Sequence, residues 1–212
     1  MTQTKTGKSA DKNNSLETRT DIQAVCVYCG SSSKARPVYQ ETATATGRIL
    51  AENGYHMVYG GARVGLMGLA ADAALAAGAQ VTGVMPKDLI QWELEHTGLS
   101  ELVEVRSMHE RKMEMVERSD AFVILPGGLG TLDETFEVLT WKQLNLHDKP
   151  IILVNLEGYW DHLLALLRGI IAEKFALDTT ENMFQVISEV SDIPRALKEA
   201  PRSYSEVATK WM

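Results

Sequence analysis

Cysteine is nearly absent, basic residues are outnumbered, and no long apolar run interrupts the chain. Two cysteines in 212 residues cannot form a disulfide scaffold. Apolar runs such as Ala121–Leu125 are far too short to span a bilayer. Lys and Arg number 21 against 28 Asp and Glu, giving a net charge of −7 and an isoelectric point near 5.3. That balance argues against polynucleotides and anionic membranes, which select a basic face. A small anionic ligand is not excluded, because such a site needs only local donors. What the chain does have is an ordinary hydrophobic fraction, 45%, and a length suited to one globular domain.

Residues 1–20 are polar, lack aromatics and carry a net charge of +2, leaving −9 on the remainder. No apolar core of secretory type follows the early lysines, so the segment reads as a disordered extension and the cytoplasm is the expected compartment. Residues 21–201 read as a single domain and 202–212 as a tail. Within the domain, strands expected at Ile22–Tyr28, Tyr55–Tyr59, Gln80–Met85, Leu102–Arg106, Ala121–Leu125, Ile151–Val154 and Phe184–Ile187 are separated by helical stretches. Those helices are Pro37–Asn53, Leu66–Ala77, Met108–Arg118, Thr131–Leu146 and Tyr159–Phe175, with Ile193–Glu199 closing the fold. This alternation predicts an α/β fold: a Rossmann-like, doubly wound, mostly parallel sheet with helices on both faces.

Ligands of such folds bind beyond the carboxyl ends of the strands. Three turns fall there: Gly30-Ser31-Ser32-Ser33, Gly60-Gly61-Ala62-Arg63 and Gly127-Gly128-Leu129-Gly130. The third belongs to Pro126-Gly127-Gly128-Leu129-Gly130-Thr131-Leu132-Asp133-Glu134, between the most apolar strand and a helix. Glycines there let backbone N–H groups converge, and the helix N-terminus adds partial positive charge, which suits phosphate. It is neither a Walker A loop nor a GxGxxG dinucleotide fingerprint. Taken alone it is equally a strand–helix turn in which Thr131 and Glu134 form a capping box. A second glycine turn at the same sheet edge favours a nucleotide. Ser107 and Glu110 have the same S-x-x-E spacing ahead of Met108–Arg118. By pattern, Arg111 falls on a solvated stripe with Glu114 and Arg118.

CVYCGSS, GGARVGLMG, MHERKMEM and PGGLGTLDE, in that order, resemble the LOG ("Lonely Guy") family of cytokinin-riboside 5′-monophosphate phosphoribohydrolases, often labelled lysine decarboxylases. The resemblance spans roughly residues 22–187. Ala62 stands where many members have glycine, and Leu129 where plant members have an aromatic residue. It implies hydrolysis of the N-glycosidic bond of an adenosine-type 5′-monophosphate, releasing base and ribose 5-phosphate. Arg111 and Glu134 match the catalytic pair, and Lys112 a substrate contact. The remaining substrate-binding expectations are Ser31, Ser32, Gly60, Gly61, Glu93, Met108, Gly127, Gly128, Leu129, Gly130, Thr131, Leu132 and Asp133. The alignment at Glu93 is loose because Glu95 stands close by. The resemblance also implies a homodimer, in which Trp141, Trp160 and the stripe Leu163/Leu166/Leu167/Ile170 serve either the interface or the core.

No metal or organic cofactor is expected. Cys26 and Cys29 lack two further zinc ligands, and strand positions i and i+3 face opposite ways, so two buried thiols are expected. His56, His96, His109, His147 and His162 show no metal-site spacing, and Met108, Met113 and Met115 read as core or pocket lining. Two other functions compete: a non-catalytic nucleotide or molybdopterin-cofactor carrier, and a decarboxylase. The second needs pyridoxal phosphate on a lysine, and Lys87, Lys112, Lys142 and Lys149 lie in no recognisable context for it.

Overall fold

The computed structural model describes residues 19–90 and 95–201. Seven strands form one sheet: β1 (Ala24–Tyr28), β2 (His56–Tyr59), β3 (Val81–Pro86), β4 (Glu101–Val105), β5 (Ala121–Ile124), β6 (Ile151–Val154) and β7 (Gln185–Ile187). Their order is β4-β3-β2-β1-β5-β6-β7, and every pairing is parallel. The Rossmann-like expectation therefore holds, with the whole sheet parallel rather than most of it.

The interleaved helices are α1 (Pro37–Glu52), α2 (Gly65–Ala76), α3 (Lys87–Ile90), α4 (Met108–Glu117), α5 (Leu129–Gln143), α6 (Asp161–Ala172) and α7 (Ile193–Glu199). Alternate strand residues feed two cores, as the period of two requires. Val25, Val27, Met57, Tyr59, Val123 and Ile152 pack under Leu50 of α1, Ala70 and Ala74 of α2 and Leu197 of α7. Cys26, Tyr28, Val58, Phe122, Ile124 and Leu153 pack under Met115 of α4, Val138 of α5 and Leu163 and Leu167 of α6. Trp160 is buried in the second core, Trp141 lies partly against it, and Leu166 is 55% exposed. Cys26 and Cys29 are free, buried and assigned to opposite cores, as strand alternation demands.

From β1 the chain winds outward through β2, β3 and β4, then crosses back to β5 on β1's other side. The β1/β5 boundary is the point where the winding direction reverses, and a crevice opens there between diverging loops. The two turns are laced together across it: Leu125 N donates to Tyr28 O at 2.9 Å and Gly30 N to Pro126 O at 3.1 Å.

Two local expectations are corrected. Arg19, assigned by sequence to the extension, is 5% exposed and bonded to the opposite end of the chain. Helix α5 begins at Leu129, two residues before the expected Thr131, with extended Gly128 as its N-cap and no side-chain cap. Thr131 therefore lies inside the helix, and the Thr131–Glu134 capping box does not form. On α4 the cap itself does form: Ser107 Oγ accepts from Glu110 N at 3.1 Å, while the Glu110 carboxylate reaches one residue past the cap and accepts from Arg106 N at 2.7 Å. Residues 1–18, 91–94 and 202–212 lie outside the described residues, and with them Glu93, most of the expected N-terminal extension and all of the expected C-terminal tail.

Candidate active site

A cavity of about 490 Å³ occupies the crevice, a volume typical of small-molecule sites. Gly30 and Ser31 from the β1 turn line it, with Gly60 from the β2 turn and Gly128, Leu129, Gly130 and Thr131 from the β5 turn. Arg111 and Glu134 complete its polar wall. All three glycine- and serine-rich turns thus meet at one place, although they are far apart in sequence.

Because α5 starts inside the glycine turn, its first intrahelical bond is Leu132 N to Gly128 O at 3.0 Å. The amides of Leu129, Gly130 and Thr131 precede it and, by helix geometry, have no carbonyl four residues back. They add to the positive end of the α5 dipole, the arrangement that accepts an anion. Tyr159 braces the turn from outside, its hydroxyl donating to Gly127 O at 2.7 Å. Leu129, at the tip, is 86% exposed.

Arg111 and Glu134 form a buried ion pair, only 8% and 9% exposed. The guanidinium Nη1 lies 3.1 Å from Glu134 Oε1, and its Nε donates to Val84 O at 3.1 Å. Gly60 makes the space for it, since a Cβ there would collide with Arg111 Nη2. The solvated stripe suggested by helical spacing is thereby corrected: Arg118 takes Glu114 as its partner, and Arg111 turns inward. Burial raises the Glu134 carboxyl to about 7, with Asp133 adding to the rise and Arg111 and Lys112 opposing it. A carboxyl near neutrality exchanges protons at physiological pH, as a general acid or base must.

Other expected residues fall around the cavity rather than in its wall. Ser32 and Gly127 line an adjoining groove of about 340 Å³. Gly61 packs against Met85 beneath the β2 turn and accepts from His96 N at 3.0 Å. Leu132 packs partly into the second core. Met108 is 48% exposed rather than core or lining; Met115 is fully buried. Lys112 is drawn away onto α5, where Asp133 and Glu137 hold it. Sequence reasoning missed the apolar wall of Ala62, Val64, Met67, Met85 and Leu89, and the lining role of Cys29. Met67 lies in the quoted GGARVGLMG segment; nothing in the local pattern marks Leu89.

Among the described residues, no group of three His, Cys, Asp or Glu is arranged to hold a metal ion. Among the described residues no lysine lines the cavity. Lys142 and Lys149 donate to Lys149 O and Val116 O, and Lys87 pairs with Glu104. A Schiff base on any of them would lie outside the crevice. Among the described residues no helix is long and apolar enough to cross a membrane.

Residues 67–197 match the profile of a family described as "Possible lysine decarboxylase". The chain is 40% identical over 194 residues to the cytokinin riboside 5′-monophosphate phosphoribohydrolase LOG7 of Arabidopsis thaliana, covering 92% of this chain and 89% of that one. It is 37% identical over 195 residues to LOG1 of the same plant, covering 92% of each. Among solved structures it superposes on the molybdenum cofactor binding protein of Rippkaea orientalis with a TM-score of 0.66. Identity there is 22%, over 85% of this chain and 98% of that one, a likeness of fold alone.

Proposed function

The chain belongs to the family of the cytokinin riboside 5′-monophosphate phosphoribohydrolases, and on that premise we propose that it hydrolyses the N-glycosidic bond of adenine-type nucleoside 5′-monophosphates. The observation that carries the proposal is the buried Arg111–Glu134 pair facing a cavity rimmed by three phosphate-suited turns.

The 5′-phosphate rests on the amides that open α5, with Gly128 and Gly130 allowing close approach. That seat puts the sugar within reach of Glu134, one turn into the same helix. As the bond from C1′ to the base lengthens, positive charge grows on the sugar and negative charge on the base. The Glu134 carboxylate stabilises the first and takes a proton from the attacking water. Arg111, held in place by Val84 O, stabilises the second by hydrogen bonding. The water oxygen bonds to C1′, the base leaves with the bonding pair, and the proton lost by water ends on the base. Free base and ribose 5-phosphate result. Ser31 lines the cavity for the ribose or base, Gly60 shares that lining, and Ser32 and Gly61 support it from the adjoining groove and from beneath the β2 turn. The carrier reading gains nothing from a likeness of fold at 22% identity.

Incubation with adenosine 5′-monophosphate and its N6-isopentenyl derivative tests the proposal. Stoichiometric ribose 5-phosphate and free base are expected; tight binding of either nucleotide without cleavage would instead support a carrier. A homodimer belongs to the same proposal, because α5 and its end expose Leu129, Leu144 and Leu146. Light scattering tests it.

A further inference from the structure

Consecutive residues on a helix point about 100° apart, so Arg111 and Lys112 cannot both face the crevice. Arg111 takes the crevice side. Lys112 Nζ is seated between two carboxylates of α5, 3.1 Å from Asp133 Oδ2 and 3.2 Å from Glu137 Oε1. Its side chain is 15% exposed and that of Glu137 16%. The two carboxylates bracket Glu134 in sequence, one residue before it and three after. The α4–α5 contact is therefore a ladder of two rungs: Arg111 to Glu134, and Lys112 to Asp133 and Glu137.

We propose that Lys112 is a positioning residue for the proposed hydrolysis rather than a substrate contact: it clamps α5 to α4 and neutralises the two carboxylates beside Glu134. The proposal rests on the hydrolase reading for its kinetic consequences, while the clamp itself stands on geometry alone.

Glu134 faces Arg111 and Lys112 from α4, Asp133 from its own helix, and Tyr28, Cys26 and Cys29 from β1 and its end, while Glu137 follows one turn on at the i+3 position. Burial pushes the pKa of those three β1-side groups up, so they stay neutral near pH 7. The balance of charge on Glu134 is left to the four residues of the ladder. Burial opposes charge on Lys112, but its hydrogen bonds to Asp133 and Glu137 outweigh this and hold it ionised. Losing its charge exposes Glu134 to two negative neighbours, and ionisation of Glu134 becomes harder.

The test is the pH dependence of kcat/KM on adenosine 5′-monophosphate for wild type, Lys112→Arg, Lys112→Met and Glu137→Gln. Lys112→Met is expected to move the acid limb up by about one pH unit and lower kcat at pH 7 by about fivefold, leaving KM within about twofold. Lys112→Arg restores the wild-type profile. Glu137→Gln removes one negative neighbour and moves the limb the other way, which keeps the proposal exposed even where Lys112→Met does not fold. A rise in KM of about tenfold with an unmoved limb would make Lys112 a phosphate contact and overturn the proposal. A Lys112→Met enzyme identical to wild type would overturn it too.

Titration of Glu134 by carbon-13 NMR, assigned with Glu134→Gln and run without substrate, separates this from the hydrolase reading. A wild type that cleaves no nucleotide sinks that reading, while a carboxyl that titrates alike in wild type and Lys112→Met sinks the clamp.

Discussion

The two edges of the sheet both bury charge, and they handle it in opposite ways. At the amino-terminal edge the buried cations land chiefly on main-chain carbonyls, and Arg19 also pairs with Asp148 Oδ2 at 3.2 Å. Arg19 Nη2 reaches Asp148 O at 2.8 Å and Nε reaches Ala200 O at 3.1 Å. Lys142 Nζ donates to Lys149 O at 2.9 Å and Lys149 Nζ to Val116 O at 2.7 Å. These contacts tie the start of β1, the ends of α4 and α5 and the end of α7 together. At the carboxyl edge one guanidinium meets one carboxylate beside an open cavity, and burial drives that carboxyl to about 7. Carbonyl oxygens do not titrate, so any change of protonation at that edge falls on the cations, and burial lowers Lys142 to about 8. The Glu134 carboxyl is held where either protonation state is accessible, which costs stability and supplies chemistry. The first edge is built to hold, the second to react.

Substitutions that separate the two edges run from large effects to small. Arg111→Ala and Glu134→Gln are each expected to lower kcat/KM by about 10³-fold with the fold intact, checked by steady-state kinetics and circular dichroism. Full activity in either would erase the functional contrast between the edges.

The stability of Glu134→Gln carries the opposite sign. The native carboxyl ionises near 7 and the unfolded one near 4.5, so wild-type stability declines as pH rises through that window. Relative to wild type the glutamine variant should gain up to about 3 kcal/mol between pH 4.5 and 8, read from urea midpoints at both pH values. A constant difference across that window would show that the site stores no such cost.

Gly60→Ala pushes a methyl group into the Arg111 guanidinium and should cut kcat by about tenfold to a hundredfold while barely changing the unfolding midpoint. At the other edge, Arg19→Ala should cost about 2 kcal/mol in urea unfolding and leave kcat within about twofold. A drop in kcat there would mean the edges are coupled.

Much of the fold was legible. The strand at Ile151–Val154 and the helix at Ile193–Glu199 fall where their patterns predict, because apolar runs and flanking proline punctuate them. The start of α5 was misplaced, since T-x-x-E spacing suits a cap but the glycines before it let the helix begin two residues sooner. Arg111 and Glu134 were found through motif resemblance, and their spacing alone pointed to a solvated stripe and a cap. The clamp on Lys112 was not legible: its partners Asp133 and Glu137 lie 21 and 25 residues away on another helix, and no local periodicity links them.

The sequence by itself determined the alternation of strands and helices, the three turns able to receive a phosphate, and the family to which the chain belongs. These are local properties, set by backbone freedom at glycine and by the periods of two and 3.6. Tertiary structure decided the order β4-β3-β2-β1-β5-β6-β7, and with it the convergence of the turns at residues 30, 60 and 127 on a single crevice. It also decided that Arg111 turns inward while Lys112 turns to α5. A helix's period fixes the angle between neighbouring side chains, but only what packs against it fixes which of them is buried.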